Sequence, residues 1–164
     1  MSKTIENLAQ AFAGESQASK KYLAFAKKAE AEGYRGVAKL FRAAAAAETV
    51  HALAHLAAMN GIGSTADNLR AAISGETDEF ESMYPPMILG AKAEGNKAAL
   101  RSFEYANAVE KVHAQLYKDA LAALGRGGDV EYYVCKVCGN TVEGHPPDVC
   151  PICGSGKQAF EKID

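Results

Sequence analysis

The sequence predicts an all-α four-helix bundle followed by a small C-terminal β/knuckle domain, and two observations support this fold class. The chain up to residue 125 is rich in Ala, Glu, Lys and Leu, which are residues that favour helices. All four Cys of the 164 residues lie between positions 135 and 153, where Gly and Pro recur at close intervals. We therefore expect a bundle domain over 1–125, a linker over 126–130 and a knuckle domain over 131–164.

The bundle domain contains four helical stretches that are separated by glycines. They are predicted over 4–31, 35–60, 65–94 and 96–124. Short turns join the first stretch to the second and the third to the fourth, so each pair should form an antiparallel hairpin. Ser64, with Asp67 three residues later, is typical of a helix N-terminal cap and should begin the third stretch.

An internal repeat with an offset of 62 residues relates the two hairpins. The matching positions are Tyr22 and Tyr84, Phe41 and Phe103, Glu48 and Glu110, and His51 and His113. Glu15 lies seven residues before Tyr22, whereas Glu76 lies eight residues before Tyr84. We therefore predict one extra residue in the third stretch, absorbed as a π-bulge near residues 77–84.

Carboxylates and imidazoles lie on the inward stripes of all four helices. The candidates are Glu15 on the first helix, Glu48 and His51 on the second, Glu76 and Glu79 on the third, and Glu110 and His113 on the fourth. Burying these groups without partners would cost many kcal/mol, and a pair of metal cations removes that cost. Carboxylate oxygens with one imidazole per metal suit iron or manganese. We therefore expect two ions bridged by Glu48 and Glu110, with one more carboxylate on the third helix than the ions require.

Three further polar side chains near this cluster have alternative interpretations. His55 follows His51 by about one turn, and its repeat position is Tyr117, so a hydrogen-bonded or core histidine is favoured over a metal ligand. Tyr22 and Tyr84 either orient the ligand carboxylates or are core aromatic residues, and the sequence leaves both alternatives open. A single Glu-x-x-His would indicate no more than a solvated helix face, so the metal interpretation depends on the repetition.

The four cysteines form two Cys-x-x-Cys-Gly knuckles, made by Cys135 with Cys138 and by Cys150 with Cys153. Two thiolates from each knuckle can hold one tetrahedral ion, and the following glycine permits the tight turn. Zinc and iron both accept four thiolates. The knuckles alone favour a zinc ribbon, but a neighbouring two-metal site that needs electrons favours iron.

Composition excludes several classes of function. A net charge of −2 and an isoelectric point near 6.1 disfavour nucleic-acid binding, which usually needs a basic face. The longest apolar run, Ala43 to Ala47, is far shorter than the roughly 20 residues that cross a bilayer, so we expect no membrane association. The start, MSKTIENL, has no apolar signal core, so we expect a cytoplasmic protein.

Together these motifs resemble the rubrerythrins along essentially the whole chain. The residues that carry the resemblance are Ala13-Gly14-Glu15-Ser16-Gln17-Ala18, Glu48-x-x-His51, Gly75-Glu76-x-x-Glu79, Met83-Tyr84-Pro85, Glu110-x-x-His113 and the two cysteine knuckles. The resemblance implies a ferritin-like bundle joined to a rubredoxin-like domain. It also implies two iron ions in an oxo- and carboxylate-bridged pair in the bundle and one Fe(Cys)4 ion, for which zinc is the alternative.

The resemblance further implies a peroxidase that reduces hydrogen peroxide to water during oxidative stress. Electrons would arrive through the Fe(Cys)4 site from rubredoxin or an NAD(P)H-dependent reductase, and the chain would form a homodimer. It implies that all seven bundle candidates ligate iron, with Glu79 and His51 exchanging on one iron as the oxidation state changes. The alternatives are a ferritin-like protein for iron oxidation and storage, and a non-catalytic zinc-ribbon scaffold.

Overall fold

The computed structural model describes residues 2–126 and 128–164, so Met1 and Gly127, the latter within the expected 126–130 linker, lie outside it. The described chain divides into two compact units, one ending at Gly63 and the other beginning at Ser64. Each predicted hairpin falls within one unit, and the second unit also contains the C-terminal strands.

The first unit is an antiparallel hairpin of α1 (Lys3–Ala31) and α2 (Arg35–Ala58). Small residues allow close approach of the two helices: Ser19 is buried, and its hydroxyl donates to the Ala45 carbonyl oxygen at 3.1 Å. The predicted second stretch ends two residues too late, because Asn60 has a φ of 56°, in the left-handed region that stops a helix.

The second unit begins with three consecutive helical segments that pack on a long helix. They are α3 (Thr65–Asp78), a π turn (Glu79–Met83) and α4 (Tyr84–Ala93), followed by α5 (Lys97–Ala123). Ser64 caps α3 as predicted, since its hydroxyl oxygen accepts a hydrogen bond from the Asp67 backbone N–H at 3.2 Å.

The π turn confirms the predicted extra residue. It lies between Glu76 and Tyr84, within the predicted span of 77–84. A π turn accommodates one residue more than the α-helical repeat. Pro85 and Pro86 follow immediately, and because proline has no backbone N–H, the regular hydrogen-bond ladder is interrupted there in any case.

Beyond the bundle helices, the second unit contains a three-stranded antiparallel sheet in the order β2-β1-β3. The strands are β1 (Tyr132–Cys135), β2 (Thr141–Glu143) and β3 (Phe160–Ile163). Tyr133 in the central strand pairs with Val142 on one side and with Lys162 on the other. The predicted small C-terminal strand domain is therefore present.

Among the described residues, the helices include none with the length and apolar character required to cross a membrane.

Candidate metal centres

The α1–α2 hairpin brings three predicted ligands together. The ligand atoms of Glu15, Glu48 and His51 all lie within 4.8 Å of one another. Nδ1 of the His51 imidazole lies 2.9 Å from a carboxylate oxygen of Glu48, because residues three apart share a helix face. We call these residues the first carboxylate group.

The second unit forms a corresponding arrangement between α3 and α5. Glu76, Glu110 and His113 also place their ligand atoms within 4.8 Å of one another, and we call them the second carboxylate group. Nδ1 of His113 is 2.8 Å from Glu110 Oε2 and 3.9 Å from Glu76 Oε2. These side chains are 16–25% exposed, so water screens their charges only in part.

Both groups contain two carboxylates and one imidazole, with Nδ1 turned towards the carboxylates. A divalent cation fits this donor set, because it would neutralise carboxylates that repel one another when the ion is absent. The aromatic residues repeat as well: the rings of Tyr22 and Phe41 are 6.1 Å apart between centroids, and those of Tyr84 and Phe103 are 6.3 Å apart. The internal repeat predicted from the sequence is therefore also a structural repeat.

Burial and mutual repulsion change the acidity of the second carboxylate group. Partial burial raises the pKa of Glu76, and the charge of Glu110 raises it further. Glu79, in the π turn, lies outside the group of three, but burial and then the charge of Glu76 raise its pKa. Glu79 is thus close enough to the group to interact with it electrostatically.

Two tyrosines adjoin the same carboxylates. Burial raises the pKa of Tyr84, and the nearby charges of Glu110, Glu79 and Glu76 add to this effect. Tyr117 on α5 has its pKa raised by burial and then by Glu76 and Glu110. In the sequence Tyr117 is the repeat position of His55 and shares the inward stripe of Glu110 and His113; the effect of Glu76 on it is a structural finding.

In the first unit, the two remaining candidates differ in their surroundings. Tyr22 packs against Phe41 and against Phe25, whose ring centroid is 6.3 Å away, so its ring belongs to an aromatic cluster. His55 is half-buried on α2 and is not part of the first carboxylate group.

The four cysteines lie together at the end of the small sheet. Sγ of Cys135 is 3.7 Å from that of Cys153, and Sγ of Cys138 is 3.6 Å from that of Cys150. Disulfide sulfurs are about 2.05 Å apart, so the cysteines are free thiols. Ligands about 2.3 Å from a tetrahedral ion stand roughly 3.8 Å from each other, so the four sulfurs fit one metal ion.

The two knuckles have the same backbone geometry. Gly139 N–H donates to the Cys135 carbonyl oxygen at 2.8 Å, and Gly154 N–H donates to that of Cys150 at 2.9 Å. Both glycines have positive φ angles, 85° for Gly139 and 74° for Gly154, which other residues adopt only with strain. The sequence prediction of two tight, glycine-dependent turns is correct.

The thiols have unequal acidities. Hydrogen bonding from Ser155 lowers the pKa of Cys153 to about 6, so this thiol ionises more readily than an ordinary cysteine. Burial raises the pKa of Cys138 well above its usual range. A metal ion would stabilise the thiolate form of both residues.

The first knuckle lies against α5 beside the second carboxylate group. Thr141 Oγ1 is 2.9 Å from Nε2 of His113 and 3.2 Å from the Gly139 carbonyl oxygen. A Cβ atom on Gly139 would be 3.8 Å from the side chain of Val109, which is one turn from His113 on the same helix face. The tetrathiolate site and the second carboxylate group are thus connected within one unit.

Comparisons with known proteins agree with both kinds of site. A family model described as Rubrerythrin matches residues 6–121, and one described as Rubrerythrin, rubredoxin-like domain matches residues 133–161. The chain belongs to the rubrerythrin family. It is 35% identical over 175 residues to Rubrerythrin-2 of Clostridium acetobutylicum, covering 96% of this chain and 95% of that protein.

Nigerythrin of Nitratidesulfovibrio vulgaris is 37% identical over 171 residues, which cover 96% of this chain and 85% of that protein. A solved structure described as the fully reduced, all-ferrous state of nigerythrin has a TM-score of 0.61 at 35% identity. It covers 99% of this chain and 88% of that chain. The predicted fold class, a ferritin-like helical domain with a rubredoxin-like C-terminal domain, is therefore confirmed.

Membership of the rubrerythrin family identifies the cofactors. The family has a di-iron site and an Fe(Cys)4 site, and this chain provides carboxylate and imidazole donors for the first and four thiolates for the second. The protein is accordingly a metal-binding oxidoreductase of the rubrerythrin type.

Proposed function

We propose that this protein is a non-haem di-iron peroxidase that reduces hydrogen peroxide to water in oxidative-stress defence. The reaction consumes one H2O2, two electrons and two protons and yields two molecules of water. The observation that carries the proposal is the duplicated group of two carboxylates and an imidazole, in a chain that also has a tetrathiolate site beside one of the two groups. Storage of iron needs no such electron inlet.

The proposed di-iron ligands are the seven residues predicted from the sequence. They are Glu15, Glu48, His51, Glu76, Glu79, Glu110 and His113. Six of them form the two carboxylate groups, which supports one group for each ion. Glu48 and Glu110 are the proposed bridges, after the arrangement of two Glu-x-x-His motifs in di-iron bundles. Glu79 is the seventh, and the resemblance to rubrerythrins supports its exchange with His51 when the oxidation state changes.

Iron at these groups would supply the two electrons that break the O–O bond of peroxide. The carboxylates offset the positive charge of the ions and fix their positions. Glu79 and Tyr84 are the residues best suited to hold protons near the reacting oxygens, because burial and neighbouring carboxylates raise the pKa of both. Two protons from solvent, passed on through the Glu79 carboxyl with the Tyr84 hydroxyl as a hydrogen-bond donor, would release both oxygen atoms as water.

We propose that Cys135, Cys138, Cys150 and Cys153 hold the iron that receives electrons from rubredoxin or an NAD(P)H-dependent reductase. The short connection from this site to His113 through Thr141 supports such a relay. The proposal also includes a homodimer, a cytoplasmic location and a division into a bundle domain, a linker and a rubredoxin-like domain over 1–125, 126–130 and 131–164. The resemblance to the family supports these three points.

An anaerobic peroxide titration of the iron-loaded, reduced protein tests this function. We expect three iron ions per chain and oxidation of the di-iron pair by one equivalent of peroxide. Glu110→Gln should lose this reaction, whereas Glu161→Gln, which removes an exposed carboxylate on β3, should keep it. Zinc in the tetrathiolate site with no visible absorption would favour a scaffold, and accumulation of many iron ions per chain would favour storage.

Cys153→Ser tests the electron relay separately. We expect reductase-coupled peroxide turnover to disappear in this variant, while peroxide still oxidises a chemically reduced di-iron pair. Unchanged reductase-coupled turnover would contradict the relay.

A further inference from the structure

We propose that Thr141 is a positioning residue that holds the His113 imidazole with Nδ1 directed at the metal position and joins the rubredoxin-like domain to that ligand. This inference rests on the proposed function for the role of His113 as an iron ligand. Thr141 lies outside every cysteine knuckle and every Glu-x-x-His motif, and nothing in the sequence pattern distinguishes it.

The hydrogen-bond geometry defines the role of Thr141. Its hydroxyl lies 2.9 Å from His113 Nε2 and 3.2 Å from the Gly139 carbonyl oxygen. A carbonyl oxygen can only accept, so the threonine hydroxyl donates to Gly139 and its lone pair accepts from Nε2–H of the imidazole. With a proton held on Nε2 by Thr141, Nδ1 is the nitrogen left for an ion: in the metal-free chain an Nδ1–H donates to Glu110 Oε2, and a bound ion would take the place of that proton.

The second carboxylate group is arranged for this orientation of the imidazole. Nδ1 of His113 faces Glu110 Oε2 at 2.8 Å and Glu76 Oε2 at 3.9 Å, so the three atoms converge on one place. Histidine ligands of metals usually donate their other ring N–H to a fixed acceptor, which sets the orientation of the ring and increases its basicity. Thr141 provides that acceptor here.

The acceptor belongs to a different domain from the ligand that it holds. Thr141 begins β2, directly after the first knuckle, whereas His113 lies on α5. The backbone around it is constrained: the Asn140 carbonyl oxygen accepts from Cys135 N–H at 2.9 Å, and Asn140 is almost completely buried. The position of the hydroxyl is therefore determined by the same turn that positions two thiolates.

The repeat provides an internal comparison. His51 is the counterpart of His113 and makes the same Nδ1 contact with its own Glu-x-x-His carboxylate, at 2.9 Å. The His51 side chain is 56% exposed, against 25% for His113. The hydroxyl contact at Nε2 is thus found on the more buried imidazole of the pair, the one near the tetrathiolate site.

Ferrous iron binding by the full chain tests the role of Thr141. Thr141→Val removes the hydroxyl with little change of shape, Thr141→Ser keeps it, and Thr4→Val, at an exposed position of α1, is the matched control. Binding to the carboxylate ligands is measured anaerobically by competition with a chromogenic chelator. The visible absorption of the tetrathiolate iron and the melting temperature are recorded for each variant.

We expect Thr141→Val to bind this iron about 10- to 100-fold more weakly, as is usual when the partner of a ligand histidine is lost. The iron affinities of Thr141→Ser and Thr4→Val should stay within about threefold of the affinity of the unsubstituted chain. Binding by Thr141→Val within that range would overturn the role, and so would equal losses in the Ser and Val variants. The tetrathiolate absorption should persist in every variant, which separates ligand positioning from unfolding of the small domain.

The outcome also separates this inference from the proposed function. A chain that binds iron and shows the expected Val and Ser difference, yet does not reduce peroxide, supports the role of Thr141 and refutes the peroxidase. Full peroxide reduction with no difference between the variants refutes the role and leaves the peroxidase standing. A chain without carboxylate-bound iron refutes both.

Discussion

Replacing Glu76 with Gln should stabilise the metal-free protein while it weakens iron binding. The ligand atoms of Glu76 and Glu110 lie within 4.8 Å of each other, and both side chains are mostly buried. Two unit charges at that separation repel by about 3.5 kcal/mol at an effective dielectric constant near 20 and by about 0.9 kcal/mol in water. The observed burial places the pair between these limits.

We therefore expect Glu76→Gln to raise the free energy of unfolding of the metal-free chain by about 1–3 kcal/mol at pH 8. Urea denaturation followed by circular dichroism measures this directly, as an upward shift of the midpoint by roughly 1 M. Glu161→Gln removes one exposed carboxylate from the same chain and should leave the midpoint nearly unchanged. The two variants change the net charge equally, so a general charge effect would appear in both.

Iron should reverse the order of stability. The unsubstituted chain gains binding free energy from the carboxylate that the variant lacks, so iron should stabilise it more strongly than it stabilises Glu76→Gln. The reasoning is refuted if metal-free Glu76→Gln is less stable than the unsubstituted chain. It is also refuted if the variant retains the full iron content and the full stabilisation by iron.

Three further outcomes are expected. Burial raises the pKa values of Glu76 and Glu79 above their unfolded values, so both carboxylates destabilise the folded state when they are ionised. The melting temperature of the metal-free chain should show that this destabilisation decreases as the pH falls towards 4.5. Alkylation of Cys153 in the metal-free chain, followed by mass spectrometry, should accelerate as pH rises through about 6, ahead of Cys138, because only its pKa is lowered. Ser64→Ala should lower the free energy of unfolding by about 1 kcal/mol, measured by urea denaturation, because the Asp67 N–H loses its acceptor. A decrease no larger than that caused by Ser2→Ala, at the cap of α1, would contradict a specific contribution of the α3 cap.

Features that depend on local spacing were predictable from the sequence. Helix period and the Ser64 cap placed the helical stretches, and the difference between the two halves of the repeat located the π turn. The pairing of Glu110 with His113 follows from three-residue spacing on any helix, and the knuckles follow from Cys-x-x-Cys-Gly. Each of these features is determined within a few residues of chain.

Features that depend on tertiary packing were not predictable. Thr141 meets His113 across 28 residues of chain, because the small sheet lies against α5, and no periodicity encodes that contact. The sequence identified a surplus carboxylate on the third stretch, but the fold decides that Glu76 joins Glu110 and His113 while Glu79 lies beside them. The carboxylate environment of Tyr117 likewise depends on how α3 and α5 pair.

The π turn has a consequence for the symmetry of the two hairpins. Before it, Glu76 matches Glu15 at a spacing of 61 residues, and after it Tyr84 matches Tyr22 at 62. The insertion is absorbed within Glu79–Met83, so the Tyr84–Phe103 ring pair still reproduces its counterpart in the first hairpin. The second hairpin also has a carboxylate, Glu79, at the start of this turn, whose equivalent in the first hairpin at the same spacing of 61 residues is an alanine, Ala18. An ion held by the second hairpin would thus have a carboxylate beside its binding motif that an ion held by the first hairpin would lack, and the two ions would be distinguishable by spectroscopy although their binding motifs are copies of each other.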